Sequence, residues 1–371
     1  MSIGEREGSG RVVAVSLLFV AGCAEAPGSS TEPAVEPPPS RYALRHVEDG
    51  LDPTTVPDPL AVDYDDDGLP DTVTLEGTTQ ITVTLTGGGP PFTYRPERPD
   101  GEVRQIRDIE VVSLREDGRF PSLVLAEMSW GTENLPAALP QHVLLNEEGS
   151  WSTVALDQTL IGRAVSCRWF EPRRETMCFY ASYGPFEGDF LEGRSRLVGL
   201  GPAGQAADRT AEFGLPFPVD FDGFGTDGYH MIGSAWTDFD RDGIPDIVGV
   251  GQHSRTLLAR MSADEAEVRW FGQSDDALRV WGSRAHDIPC VYVAIEPGES
   301  VFDTDFVRCH DAAEDRWYKL DVEDGGAFAM RYDRVVFWDQ DGDPSTVELA
   351  ARRSADETLA LFQLAPVATE P

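Results

Sequence analysis

Short apolar runs separated by polar turns recur along this chain. Five of six similar stretches carry a proline just before the apolar run, where it removes no ladder hydrogen bond. The runs are four to six residues long and rich in β-branched residues, which predicts strands. The nearest approach to an amphipathic helix, residues 262–270, also fits a hairpin. The six stretches are LPDTVTL (69–75), FPSLVLA (120–126), ETMCFYA (175–181), IPDIVGV (244–250), IPCVYVA (288–294) and DPSTVEL (343–349).

Each run is followed by further strand-like segments, as at residues 81–87, 141–151 and 317–322. Three or four short strands at a mean spacing of about 55 residues are typical of β-propeller blades. We therefore predict an all-β protein, a propeller of six blades of about four antiparallel strands, within residues 41–371. A seventh blade within residues 182–234 remains open. The first residues, RYALRHV, are too few for a blade but suit a closing strand.

Two acidic loops precede two of these strands. Each places Asp at positions one, three, five and nine, with Gly at position six. Alternate side chains of a tightly curled loop can converge on one point, and glycine permits the turn. Four converging carboxylates repel each other unless a cation joins them, and oxygen ligands at this spacing suit Ca²⁺, with a carbonyl from position seven. A solvated acidic turn is the alternative. The predicted ligands are Asp63, Asp65, Asp67, Leu69 and Asp71, and Asp238, Asp240, Asp242, Ile244 and Asp246, with Gly68 and Gly243 at position six.

The flanks of these loops distinguish them from an EF-hand. Position twelve is Thr74 or Gly249 instead of Glu, and the flanks read as strands. The pattern DxDxDGxxD followed by a strand resembles the FG-GAP/VCBS repeat family, which includes integrin α heads, over residues 58–366. The resemblance implies a calcium-stabilised propeller that binds ligands at its loop-bearing face. A decayed copy supplies weaker candidate ligands, Asp339, Asp341 and Asp343, and the loop at 113–122 keeps only Asp117 and Gly118.

The N-terminal residues predict export. Arg6 and Arg11 precede an apolar run at 12–22 that is too short to span a bilayer, so residues 1–22 read as a signal peptide. VAGC at 20–23 resembles a bacterial lipobox, which implies lipidation of Cys23 and, with Ala24 next, the outer membrane. A non-lipidated export signal is the alternative. Residues 23–40 then form a Pro/Ser-rich tether.

Four cysteines remain, an even number that suggests disulfides in an exported protein. Each neighbouring pair flanks a turn-like or hairpin-like stretch, so we predict Cys167–Cys178 and Cys290–Cys309. Free buried thiols are the alternative. None of the four has the Cys-x-x-Cys spacing of a zinc site.

The formal net charge of −35 argues against nucleic acid and anionic membrane surfaces as partners, which leaves the lipid anchor as the membrane contact. The sequence contains no His-Glu-x-x-His motif, Gly-x-Ser-x-Gly elbow or phosphate loop. The leading hypothesis is a cell-surface binding or adhesion propeller that recognises a protein or carbohydrate. One alternative is a polysaccharide lyase or hydrolase with its site at the central channel. Another is a structural module of the envelope.

Overall fold

The structure is a computed structural model that is almost entirely antiparallel β. Among the residues whose structure is described, the helical elements are two 3-10 helices, Pro53–Thr55 and Glu171–Arg173. No helix in these described residues is long and apolar enough to cross a membrane. The structure describes residues 42–96, 103–130, 136–182, 194–215, 231–251, 254–275, 277–282, 288–295, 305–311, 314, 316–320, 332–338, 346–353 and 356–367.

Across these ranges, the strands form six antiparallel sheets, numbered here as blades in chain order. Blade one contains β2 (Thr72–Glu76), β3 (Gln80–Thr84) and β4 (Phe92–Tyr94). Blade two contains β5 (Val103–Val112), β6 (Ser122–Trp130), the short β7 (Pro136–Ala137), β8 (Leu139–Glu147) and β9 (Ser150–Leu160). Blade three contains β10 (Gly162–Phe170), β11 (Glu175–Ser182), β12 (Arg196–Leu200) and β13 (Ala206–Asp208).

Blades four to six have four strands each. Blade four contains β14 (Met231–Thr237), β15 (Asp246–Gly251), β16 (Ser254–Met261) and β17 (Ala266–Asp275). Blade five contains β18 (Ala277–Gly282), β19 (Cys290–Ile295), β20 (Phe306–Asp311) and β21 (Arg316–Leu320). Blade six contains β22 (Tyr332–Trp338), β23 (Val347–Arg353), β24 (Leu359–Pro366) and β1 (Tyr42–Asp49).

The blades are arranged as a ring around a central cavity. The first strands of blades two to six, β5, β10, β14, β18 and β22, contact one another in chain order. All six sheets contribute residues to one cavity of about 760 Å³. This confirms the β-propeller, with six blades in the described residues. The stretch 182–234 supplies strands to blades three and four there, so the structure favours six blades over seven.

The ring is closed by the N-terminal strand. β1 pairs antiparallel with β24, with Tyr42 opposite Pro366 and Leu44 opposite Leu364. Leu44 and Leu364 are both buried in the core between blades five and six. The closing strand predicted from RYALRHV is therefore confirmed, and it makes β1 the outermost strand of blade six.

The repeated apolar segment is the second strand of its blade in blades two to six. The loop before it therefore joins the first strand to the second, whereas we expected it to lead into the blade. In blade four the second strand, β15, is buried at every residue. First strands border the cavity and carry charged residues such as Arg107 and Arg163, so their apolar pattern is weaker.

Blade one lacks a regular first strand. The Asp71 amide donates to the Val62 carbonyl at 2.9 Å, at the place where a first strand would pair with the second strand. The chain then turns, because Pro57 and Pro59 have no amide hydrogen to pair and the Ala61 amide bonds instead to the Asp58 carbonyl at 2.9 Å. β2 is consequently largely exposed, whereas the second strand of blade four is buried.

The core lies between neighbouring blades, and both disulfides are part of it. Cys167–Cys178 joins directly paired residues of β10 and β11, and Cys290–Cys309 joins paired residues of β19 and β20. All four cysteines are buried within the apolar clusters between blades. Both predicted pairings are confirmed.

Every regular first strand contains one irregularity. The ladder register to the second strand shifts at the fifth residue of β5 and at the second residue of β10, β14, β18 and β22. The extra residue is Arg107 in β5 and Arg163 in β10. Each bulge places two residues of the first strand opposite one residue of the second. The bulges therefore provide a reference for position along the channel in these blades.

Candidate metal centres

The two acidic loops have the same backbone conformation. Position four is left-handed in both, with φ of +63° at Asp66 and +62° at Arg241. Position six is also left-handed, with φ of +86° at Gly68 and +87° at Gly243. A β-carbon at that φ is strained, so glycine at position six is required for the turn, as the sequence indicated.

Positions one and five organise the turn through backbone amides. Asp63 accepts hydrogen bonds from the amides of Asp67 at 3.1 Å and Gly68 at 2.8 Å. In the second loop Asp238 accepts from the corresponding amides, at 3.1 and 2.9 Å. At position five, Asp67 accepts from the Leu69 amide at 2.8 Å, and the second loop repeats this bond at 2.7 Å.

The carboxylate at position nine links each loop to the rest of its blade through hydrogen bonds. The buried Asp71 accepts from the amides of Tyr64 at 2.8 Å and Thr86 at 2.6 Å. The buried Asp246 accepts from the amides of Phe239 at 2.9 Å and Met261 at 2.8 Å. Each of these carboxylates therefore connects its own loop to the residue fifteen positions further on.

Positions one, three and nine converge. In each loop, one oxygen from each of these three carboxylates lies within 4.8 Å of the other two: Asp63, Asp65 and Asp71, and Asp238, Asp240 and Asp246. Three of the four carboxylates that we predicted for each loop are thus brought together. The fourth, at position five, instead holds the position-seven amide. The role of the Leu69 and Ile244 carbonyls remains a prediction.

The electrostatics of both clusters fit a cation. Burial, with a smaller effect from Asp240 and Asp238, raises the pKa of Asp246 to about 8. Desolvation, followed by the charges of Asp67 and Asp71, also raises the pKa of Asp65. The Asp65 Oδ1 atom is buried and has no hydrogen-bond partner in the described structure. Carboxylates that repel each other and leave an oxygen unpaired suit an added positive charge.

Arginines lie beside both loops but in different places. The Arg260 Nε atom is 4.0 Å from an Asp240 carboxylate oxygen. Thr86 and Met261 are equivalent, because the amide of each donates to position nine of its loop. The residue before them is Arg260 near the second loop but Leu85 near the first. Arg119 of blade two instead contacts Asp66, which is outside the converging group.

The related loop of blade two forms a different turn. Gly118 has φ of +71°, and the Arg119 amide donates to Asp117 at 3.1 Å, as at positions five to seven of the acidic loops. Its left-handed non-glycine residue is Phe120, however, whereas position four is left-handed in the acidic loops. Ser113 and Arg115 stand at positions one and three, and Ser122, at the start of the second strand, accepts from the Asn146 amide at 3.1 Å. This loop therefore lacks both the three carboxylates and the backbone conformation of the acidic loops. The third candidate group, Asp339, Asp341 and Asp343, lies outside the described residues.

The two acidic loops lie at the same end of the channel, because both lead into the second strand of a blade. They belong to blades one and four of a six-blade ring, which are three blades apart in either direction. The two centres are therefore on opposite sides of one face.

A buried ionisable group that sequence reasoning missed joins blades one and two. Glu127 is fully buried and lies 2.6 Å from the His142 Nδ1 atom. Tyr94 of blade one donates to the other oxygen of Glu127 at 2.9 Å, and Arg104 lies 3.3 Å away. With a histidine, an arginine and a hydroxyl around it, this carboxylate is compensated, and the group serves to hold the two blades together. No local sequence motif indicates this buried group, since its members come from four different strands.

The central cavity is a second concave site. Its polar lining includes Arg107, Arg163, Arg168, Arg352, Asp58, Asp108 and Glu110, and its aromatic lining includes Trp236, Trp281 and Phe337. Asp108 accepts from the Val165 amide at 3.1 Å, and Glu110 accepts from the Cys167 amide at 3.5 Å. These two acids therefore connect the first strands of blades two and three.

No protein-family model and no curated protein matches the chain. The solved structures that it resembles include the polysaccharide lyase Uly1, with a TM-score of 0.36 and 10% identity over 69% of this chain and 57% of that one. YCF48 bound to D1 peptide has a TM-score of 0.36 and 10% identity over 91% and 99% of the two chains. Raptor of Chaetomium thermophilum has a TM-score of 0.37 and 9% identity over 90% and 29%. The chain thus spans little more than half the length of the lyase, and similarities this distant carry no argument about function.

Proposed function

We propose that this protein is an exported, calcium-stabilised β-propeller that binds a ligand outside the cell. The observation that carries the proposal is the convergence of three carboxylates at positions one, three and nine in two loops of identical backbone. The blade-two loop has Ser113 and Arg115 in place of two of them, and its backbone follows a different path, with Phe120 left-handed. Three carboxylates this close repel each other, and the buried Asp65 Oδ1 atom has no hydrogen-bond partner in the described structure, so a bound cation accounts for the arrangement.

In each loop the carboxylates at positions one, three and nine would hold Ca²⁺, which prefers six to eight oxygen ligands and tolerates flexible geometry. The ion supplies two positive charges to a buried acidic cluster. Position nine also accepts hydrogen bonds from the amide at position two of its loop and from the amide at the end of the third strand, as Asp246 does from Phe239 and Met261. Ion binding would therefore stiffen the blade. The role of calcium is then structural, at the affinity of extracellular modules, on the order of 10⁻⁴ M.

Export and ligand binding are part of the same proposal. Two buried disulfides agree with an oxidising compartment. The apolar run at 12–22 and Cys23 support a signal peptide and a lipid anchor in the bacterial envelope, as the resemblance to a lipobox implies. Similarity of the acidic loops to FG-GAP/VCBS repeats supports binding, of a protein or carbohydrate, over catalysis.

Thermal unfolding in Ca²⁺, in Mg²⁺ and in chelator tests the metal. Ca²⁺ at about a hundred times its Kd should stabilise the protein by about 2.7 kcal/mol per site, seen as a midpoint several degrees higher than in chelator. Mg²⁺ should do much less, because it demands stricter geometry. Asp240→Asn should weaken the calcium response, whereas the matched change Asp117→Asn in the blade-two loop should leave it unchanged. Equal midpoints in Ca²⁺ and chelator would contradict the proposal.

A further inference from the structure

The central cavity has the dimensions of a small-molecule site. Its volume, about 760 Å³, is within the usual range for pockets that enclose a small ligand. It extends toward blade one, where the Pro59 turn replaces a first strand and leaves Leu60, Val73 and Leu75 on the wall. Leu75 is 38% exposed, so the space beside β2 is open.

Strand register places three arginines at one end of this cavity. Arg107 and Arg163 are the bulged residues of β5 and β10, and they are the first residues of those strands to line the cavity. Arg352 lies opposite Arg334, which directly follows the bulge of β22. All three are half-buried and line the cavity, at the end where first strands begin. The acidic loops follow the first strands, so they lie at the other end.

The charge of the cavity differs from that of the chain. The whole chain has 65 acidic and 30 basic residues, whereas the cavity lining contains four arginines and three acids. Two of those acids, Asp108 and Glu110, accept backbone amides of β10. Arginine guanidinium groups bind carboxylates in a planar, two-point geometry, and a cavity whose lining sums to +1 is the part of this anionic protein that best accommodates an anion.

Aromatic rings lie further along the same cavity. Counting from the bulges, Trp281 and Phe337 lie about three and four residues into their strands, and both are half-buried. Flat apolar rings beside guanidinium groups match a ligand with an apolar face and a carboxylate. We infer that the cavity binds a small acidic sugar, a uronic acid or short uronate oligosaccharide, with its carboxylate at the end marked by Arg107, Arg163 and Arg352.

This inference names a ligand for the proposed binding function but does not rest on calcium, since the arginine end and the acidic loops are at opposite ends of the channel. Failure of the calcium response would leave it standing. Conversely, loss of sugar binding in a protein that still responds to calcium would overturn only the inference.

Calorimetric titration of the full chain with trigalacturonate tests it, with calcium matched in cell and syringe so that ion binding by the sugar cancels. Arg163→Gln and Arg352→Gln should each weaken binding by about tenfold, the loss expected for one charged hydrogen bond. The same change at Arg316, exposed on β21 at the rim of blade five, is the matched control and should leave the Kd unchanged. Arg163→Lys keeps the charge without the planar fork and should fall in between.

Maltotriose, a neutral trimer, should not bind, and inorganic phosphate should compete only weakly. Thermal midpoints of all variants, measured in calcium, establish that they are folded. The inference is overturned if trigalacturonate does not bind, if maltotriose binds equally well, if phosphate displaces the sugar completely at equal concentration, or if Arg316→Gln weakens binding as much as Arg163→Gln.

Discussion

Asp246 should make the calcium-free protein less stable as the pH rises. It is 1% exposed, and in the ion-free protein burial and the neighbouring acids raise its pKa from 3.8 to about 8. A carboxyl group whose folded-state pKa lies above its unfolded value contributes its full stability at acid pH. That contribution is lost as the pH rises from the unfolded pKa toward the folded one, because ionisation is easier in the unfolded chain.

The magnitude follows from the pKa shift. Each unit is worth about 1.4 kcal/mol, so between pH 5 and pH 7 the calcium-free protein should lose about 3 kcal/mol of unfolding free energy from this group. In saturating Ca²⁺ the slope should flatten or reverse, because the ion binds the ionised carboxylate and its affinity therefore rises with pH. Asp246→Asn should remove the slope. At pH 5 it should also cost about 1–3 kcal/mol, because an amide oxygen cannot accept as well from both Phe239 and Met261 while its NH₂ group faces a donor. This deficit should disappear by pH 7, as wild type loses the contribution of its protonated carboxyl group.

Urea unfolding in chelator, followed by tryptophan fluorescence across this pH range, measures the effect. General repulsion in a chain of net charge −35 also grows with pH. The relevant quantity is therefore the difference in slope between wild type and Asp246→Asn, with the exposed Asp356→Asn as control. Identical slopes for wild type and Asp246→Asn in chelator would refute the reasoning, as would a wild-type free energy that rises with pH relative to the variant.

Three further changes test the fold. The double change Cys290→Ser/Cys309→Ser should lower the unfolding free energy by about 3 kcal/mol, and reductant, which also breaks Cys167–Cys178, should produce a larger loss in wild type, both read from urea midpoints. Gly162→Ala would place a β-carbon 2.7 Å from the Glu127 backbone nitrogen and should cost about 1–3 kcal/mol, more than Gly249→Ala, which meets the flexible Met231 side chain at 3.1 Å. Leu44→Ala, at a fully buried position of the closing strand, should cost about 2–5 kcal/mol, and a loss below 1 kcal/mol would show that β1 contributes little to closing the ring.

Local patterns predicted the parts of this fold that local chemistry determines. A proline ahead of a β-branched run marks a strand start, and the second strands at Pro121, Pro245 and Pro289 follow that pattern. Each disulfide pairs cysteines on adjacent strands, so sequence proximity was sufficient to find it. The Asp-x-Asp-x-Asp-Gly spacing likewise dictated the curled loop, because the amides that its carboxylates bind are within five residues.

Non-local features could not be predicted in the same way. The order of strands within a blade depends on which element borders the cavity, and the apolar pattern of a single strand does not show this. Pro57 and Pro59 are the local sign that blade one lacks a first strand, because neither has an amide hydrogen for a ladder. The bulges at Arg107 and Arg163 depend on register between strands, and the cavity charge depends on residues from different blades.

The seam of the ring has a consequence for how the chain must be made. Leu44 pairs with Leu364, 320 residues later, so β1 leaves the ribosome early and stays unpaired until nearly the whole polypeptide has been made. By ideal-chain arithmetic, joining ends that far apart costs on the order of 5 kcal/mol of entropy. Until then blade six has one edge uncovered, and a second nascent copy could supply the missing strand by exchange. Synthesis rate and local concentration, as much as sequence, would then decide whether each ring closes on itself.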